Sequence, residues 1–184
     1  MEQLNIKKKF KLMFNSLEGT GHLNATLGLA QILAKRGHEI VFAVNESIAK
    51  TVESFGFRVI PLKQTTDDDD ADKKFLSDNP AKDFAKSIQD VGLFSNKSSL
   101  EKKLIFQDEK WNSFMVVFKT MLIAFNPQIE KILREEKPDA WLHDHFLVPP
   151  ALKKSKIPWF CVCSAAPLIY YNSVELPPPG SGEF

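Results

Sequence analysis

The sequence predicts an α/β protein whose core is a doubly wound parallel sheet. Three observations carry this. The first sixty residues alternate strand, helix, strand, helix, strand, a βαβ series that requires parallel pairing. Ile40 to Val44 is an unbroken apolar run, the mark of a strand covered on both faces. A small-residue loop, Gly19-Thr20-Gly21, joins the first strand to a helix, as in Rossmann-like domains.

Phe10, Leu12, Met13 and Phe14 form the first strand, ended by Asn15-Ser16. The helix that follows spans about 22–36. Its polar face is Asn24, Gly28, Gln31 and Lys35, at helical spacing, and the rest is apolar; so broad an apolar face suits a helix laid on a sheet. Gly37 stops it. Ser47 caps a second helix running to Phe55, and Val59, Ile60 and Leu62 give the third strand. Residues 63–110 break the pattern with Asp67 to Asp70 and many lysines. This segment reads as a variable rim, and the aspartates as a solvated loop. Trp111, Phe114, Met115, Phe118, Met121, Leu122 and Phe125 then share one helical stripe. Asn126-Pro127 is expected to break or kink that helix, which resumes to Glu136. Ala140 to Leu142 is the fourth strand, Phe146 to Lys154 a short helix or loop, and Trp159 to Cys163 the fifth strand, ending at Ser164-Ala165-Ala166. The tail from Leu176 is rich in proline and glycine and reads as loop. There are no internal repeats.

The 184 residues fit one domain, expected to span 1–184. Apolar residues make up 43%, enough for a proper core, and 24 basic against 23 acidic residues leave a net charge of +1. That balance points away from nucleic acid and anionic membranes. No stretch approaches the ~20 apolar residues of a membrane span, and Phe10 to Phe14 is too short for a signal-peptide core. The expectation is a soluble, cytoplasmic protein. Cys161 and Cys163, two apart on a strand, point to opposite faces and cannot bridge each other.

Chemistry is expected at the carboxyl ends of the strands. Two polar groups arrive there: the loop ending in His22, and Asp144 after the fourth strand. The helix N-terminus beneath the loop offers free N–H groups to an anion. Gly19-Thr20-Gly21 supplies two glycines of a dinucleotide fingerprint, but Asn24 stands at the third, and no Lys-Ser/Thr completes a P-loop. A histidine opening a helix is disfavoured as a cation by the dipole, so a neutral base stays available. Asp144 is placed to orient its ring. His143 and His145 raise a metal reading, but strand alternation puts both opposite Asp144. Without a cysteine pair or H-x-x-x-H spacing, no metal site is predicted.

Gly21-His22-Leu23-Asn24-Ala25 resembles the Gly-His-x-x-Pro signature of family 1 glycosyltransferases. Leu27 to Val44 resembles the helix and strand that follow it there, Lys137 to Phe146 the segment carrying a partner aspartate, and Ile157 to Pro167 the next strand. Three motifs in order make the resemblance specific. It implies the N-terminal, acceptor-binding domain of a GT-B transferase, incomplete here, with His22 as catalytic base and Asp144 as its support. It implies an inverting transfer to a small hydrophobic hydroxylated acceptor, of the kind met in detoxification, with a UDP-sugar as co-substrate and no other cofactor. Trp111, Phe114, Phe118 and Phe146 become candidates for the acceptor wall, and Thr20 and Gly21 for the vicinity of the donor phosphates. Ala25 replaces the family's proline, a mild loss at a helix start. The Trp-x-Pro-Gln…His-Cys-Gly-type donor motif has no counterpart, so the chain alone is expected to be inactive and to self-associate through an exposed apolar face.

Two other readings remain open on the sequence. One is a non-catalytic domain that binds hydrophobic small molecules, with the same pocket. The other is a nucleotide-binding oxidoreductase fragment built on the Gly19-x-Gly21 turn; Asn24 and an Asp144 that such an enzyme would not need argue against it.

Overall fold

The computed structural model describes residues 8–63, 109–145 and 147–164, scattered positions between 86 and 104, and only the backbone of 109–118. The chain divides into two compact units, residues 1–64 with 122–164, and residues 65–121 with 165–184. In the second, the described parts are a turn at Gly92 and the opening of a long helix.

Five strands form one parallel sheet: β1 (Lys11–Ser16), β2 (Glu39–Asn45), β3 (Arg58–Leu62), β4 (Ala140–Asp144) and β5 (Trp159–Cys161). Their order is β3-β2-β1-β4-β5, so β1 is central. The chain builds outward from β1 through β2 to β3, then crosses to the other side for β4 and β5. The reversal lies between β1 and β4, which pair from Leu12↔Ala140 to Ser16↔Asp144. Open α/β sheets hold ligands at such a switch point, beyond the carboxyl ends of the strands.

The alternation of β1 explains its central place. Leu12 and Phe14 join Phe42 and Val44 of β2 in a core closed by Leu23, Leu27 and Ala30 of α1 (Thr20–Lys35) and Val52 of α2 (Glu46–Ser54). Met13, Val41, Ala43 and Trp141, on the alternate face, are equally buried, as are Phe125, Ile129 and Ile132 of α3 (Glu109–Glu136). Where β1 and β2 part, the buried Asn15 side chain donates to the Ala43 carbonyl at 2.7 Å.

Several local expectations change. The first helix begins at Thr20, two residues early, with Gly19 as a cap that lends no side chain. The second is capped by Asn45, whose side chain accepts from the Ser47 N–H at 2.9 Å; Asn and Ser cap equally well, and β2 runs one residue further than its apolar core. The expected break at Asn126-Pro127 does not occur: α3 runs through Pro127. Pro127 and Ile123, whose carbonyl loses its bond, are both exposed, so water can take the bond. Asn126 instead accepts from the Ala151 N–H at 2.8 Å, steadying the start of α4 (Pro150–Lys154). The fifth strand stops at Cys161. Most of the rim segment 63–110, Asp67 to Asp70 included, lies outside the described residues. Among those residues, no helix is long and apolar enough to cross a membrane.

At the amino ends of the strands, away from the switch point, Glu136 ties three elements together. Arg58 grips it with two hydrogen bonds of 2.6 and 2.8 Å, and Lys11 adds a third contact. These cations, Arg58 first, hold its carboxyl down at about 2. A depressed carboxylate stabilises the fold fully above its unfolded value and loses that contribution as pH falls through the folded one. Glu136→Gln should therefore cost about 1 kcal/mol at neutral pH, the scale for a half-exposed network. Urea midpoints of the two proteins should converge as pH falls from 4.5 towards 2; a gap that stays constant over that range would contradict the assignment.

Candidate functional site

The β1–α1 loop and the end of β4 meet at the switch point because their strands are neighbours in register. Ser16 stands opposite Asp144, and the Leu17 N–H donates to the Asp144 carbonyl at 3.0 Å. Three residues later α1 begins, and its third residue is His22. His22 Nδ1 lies 3.2 and 3.1 Å from the two carboxylate oxygens of Asp144. Asp144 is 2% exposed, while about a fifth of the His22 side chain, 19%, meets solvent.

Gly19 has a role the loop motif did not reveal. Its backbone is extended and ordinary (φ −68°), so conformational freedom is not the requirement. A Cβ there would stand 3.1 Å from Cδ2 of the His22 ring, too close unless the ring gives way. The missing side chain makes room for the imidazole.

Ser164, three residues beyond β5, completes the cluster and was not singled out from the sequence. Its Oγ lies 2.6 Å from His22 Nδ1 and 2.9 and 2.8 Å from the Asp144 oxygens. The signal available was its place at the carboxyl end of a strand next to β4. Serine, histidine and aspartate together invite comparison with a hydrolase triad. There, however, the carboxylate and the serine engage different ring nitrogens. Here both engage Nδ1, so the serine and the carboxylate share one ring nitrogen and do not sit on opposite sides of the ring as in a triad.

The two histidines that flank Asp144 in sequence stack on each other, ring centroids 5.9 Å apart. His143 is almost wholly buried, and its Nε2 lies 2.8 Å from the Leu147 carbonyl. Nε2 therefore carries the proton, and Nδ1 has no hydrogen-bond partner among the described residues. Burial lowers its pKa. Burial, then the neighbouring His143 and His22, push that of His145 to about 3. Both rings are neutral near pH 7. No cluster of three or more His, Cys, Asp or Glu side chains suited to a metal occurs among the described residues.

Glu18 turns the other way, towards α2. Burial raises its pKa against hydrogen bonds from Ser47 and Asn45, and one carboxyl oxygen is buried with no partner among the described residues. Thr20 and Gly21 are exposed in the first turn of α1, where backbone N–H groups are not used by the helix itself. The side chains of Trp111, Phe114 and Phe118, and Phe146 altogether, lie outside the described residues; the structure neither joins them to the site nor separates them from it.

Comparison with known proteins follows the same line. No family model matches the chain. It is 19% identical over 160 residues to the NDP-glycosyltransferase YjiC of Bacillus subtilis (strain 168), covering 86% of this chain and 33% of that protein. It is 32% identical over 85 residues to the demethyllactenocin mycarosyltransferase of Streptomyces fradiae, 45% of this chain and 17% of that one. The chain thus spans a third or less of the curated relatives it matches. Among solved structures, SsfS6, a Streptomyces sp. SF2575 glycosyltransferase, superposes with a TM-score of 0.54 at 16% identity, over 83% of this chain and 38% of that one. LpCGTa, solved in complex with UDP, gives 0.54 at 18% identity, over 86% and 32%. The five-stranded parallel sheet has the fold of a GT-B glycosyltransferase domain, and in sequence the chain is similar to parts of two glycosyltransferases.

Proposed function

We propose that this chain carries the acceptor side and the general base of an inverting, nucleotide-sugar-dependent glycosyltransferase acting on small hydrophobic hydroxylated acceptors. The observation that carries the reading is the contact of His22 Nδ1 with a buried carboxylate at the switch point. With its proton on Nδ1, facing Asp144, a neutral imidazole has its basic lone pair on Nε2. The acceptor hydroxyl would give its proton to Nε2 as its oxygen bonds to the anomeric carbon. The bond from that carbon to the diphosphate breaks, and the nucleoside diphosphate leaves with the electron pair. Asp144 then faces an imidazolium, whose charge it balances. The proposed donor is a UDP-sugar, taken as a co-substrate with no resident cofactor. The exposed N–H groups of Thr20 and Gly21 would make a secondary contact to its diphosphate. Trp111, Phe114, Phe118 and Phe146 would form the apolar wall of the acceptor pocket.

The test is a fusion of this chain to the part of the Bacillus relative that lies beyond the matched region. A folded fusion should release UDP from UDP-glucose only when a phenol is added, and the phenol should quench tryptophan fluorescence in the chain alone. A fusion that folds and binds UDP yet glycosylates no phenol or other hydroxylated acceptor would contradict the reading. Quenching without transfer would favour a binding module instead.

A further inference from the structure

We propose that Ser164 is a positioning residue: it relays the hydrogen bond of the His22 Nδ1 proton to Asp144 and so fixes the ring in its Nδ1–H tautomer. The inference rests on the reading of His22 as the base, because only that tautomer puts the lone pair on Nε2.

The argument is a count of protons. Four polar atoms crowd together: Nδ1 of His22, Oγ of Ser164 and both oxygens of Asp144. An ionised carboxylate only accepts. The serine hydroxyl has one proton, and the oxygens 2.8 and 2.9 Å away are charged acceptors, so it donates to Asp144. Oγ then faces Nδ1 at 2.6 Å with lone pairs alone. A bare nitrogen at that distance would set lone pair against lone pair, both there and towards Asp144. The proton therefore sits on Nδ1. It has a choice of acceptors, and Oγ is nearer than either carboxylate oxygen, 2.6 Å against 3.1 and 3.2 Å. The dominant path thus runs from Nδ1–H to Oγ and from Oγ–H to the carboxylate. Asp144 supports the ring partly through the serine.

The arrangement also couples distant segments. His22 comes from the first helix, Asp144 from the end of β4 and Ser164 from beyond β5. A shift of the chain after β5 would act on the ring of α1 through the Ser164 hydroxyl that touches it.

Nitrogen-15 spectra of the histidine side chains test this in the chain as it stands, with no sugar transfer needed. Wild type should show His22 mainly as the Nδ1–H tautomer. Ser164→Ala should move the tautomer ratio towards Nε2–H by roughly fivefold, the worth of one ordinary hydrogen bond, and Ser164→Thr, which keeps the hydroxyl, should restore it. Unchanged His38 and His143 signals certify the fold. A wild-type His22 found chiefly as Nε2–H overturns the proposal outright, whatever the variants do. So does a folded Ser164→Ala with the wild-type ratio. In the fusion enzyme, Ser164→Ala should lower kcat several-fold with KM for the acceptor unchanged. A shifted tautomer with unaltered kcat would leave the positioning intact and remove the catalytic role of His22, so the two readings fail separately.

Discussion

His22→Ala is expected to lower turnover by about 10²–10⁴-fold in an active transferase containing this segment, the range for loss of a positioned general base. The acceptor KM should change little, because the proton moves in the transition state and a ground-state complex makes little use of Nε2. The geometry sharpens what the neighbouring variant should do. Asp144→Asn keeps the shape but replaces one acceptor oxygen by an NH2 donor. If that amide faces Nδ1, the ring must accept there, and its proton passes to Nε2. The base would then be lost by tautomer instead of by deletion. Asp144 is 2% exposed, so water cannot easily supply a substitute acceptor. At least about a tenfold loss in kcat is expected, with the tautomer of His22 reversed in the same nitrogen-15 spectra. Progress curves at saturating UDP-sugar, with acceptor varied, separate kcat from KM for both variants. Turnover in His22→Ala equal to wild type would mean that the base lies elsewhere.

Much of this geometry was legible before any coordinates. The parallel sheet follows from the βαβ run, and His22 and Asp144 were both placed at the carboxyl ends of strands; the crossover that makes β1 and β4 neighbours and brings the two side chains together is a tertiary fact. Other features depended on tertiary facts that no local pattern carries. Asn126-Pro127 was read as a break or kink because proline disfavours helix at the residue before it; the helix nonetheless runs through, with Pro127 on its exposed side. Ser164 follows the last paired residue of β5 by three, so strand register could not tell where its side chain would point. Gly19 was read for its backbone, as part of an anion-binding loop, whereas its absent side chain clears space for an imidazole. The helix stripe proposed as an acceptor wall has its side chains through 118 outside the described residues, and sequence gives only its periodicity.

The platform beneath the site should be fragile at one point in particular. Phe42 lies wholly buried in β2, paired in register with Phe14 of β1 on one side and Val59 of β3 on the other. Its ring stacks on Phe14, also fully buried, with centroids 5.2 Å apart, and tilts against Phe57 at 5.3 Å. Phe42→Ala removes the middle of this aromatic row and leaves a cavity on the sheet face that α1 and α2 cover. A cost of about 3–5 kcal/mol is expected, part of it from the two ring pairs. Against the roughly 5–15 kcal/mol that holds a typical domain folded, that is a large share. Phe57→Ala should cost less, since Phe57 is only half-buried at the edge of the row. The loss should appear as a lower urea midpoint for Phe42→Ala, with Phe57→Ala in between. Equal midpoints for Phe42→Ala and wild type would show that the row does not hold β1 against β2. The site should respond differently from the fold. Phe14 is two residues from Ser16, yet the loop, His22 and Asp144 are held by their own contacts at the β1–β4 seam. In the molecules that remain folded, the histidine spectrum of Phe42→Ala should therefore match wild type. A changed His22 signal in a folded Phe42→Ala would mean that the core on the β2 side sets the geometry of the site, and that the seam alone does not.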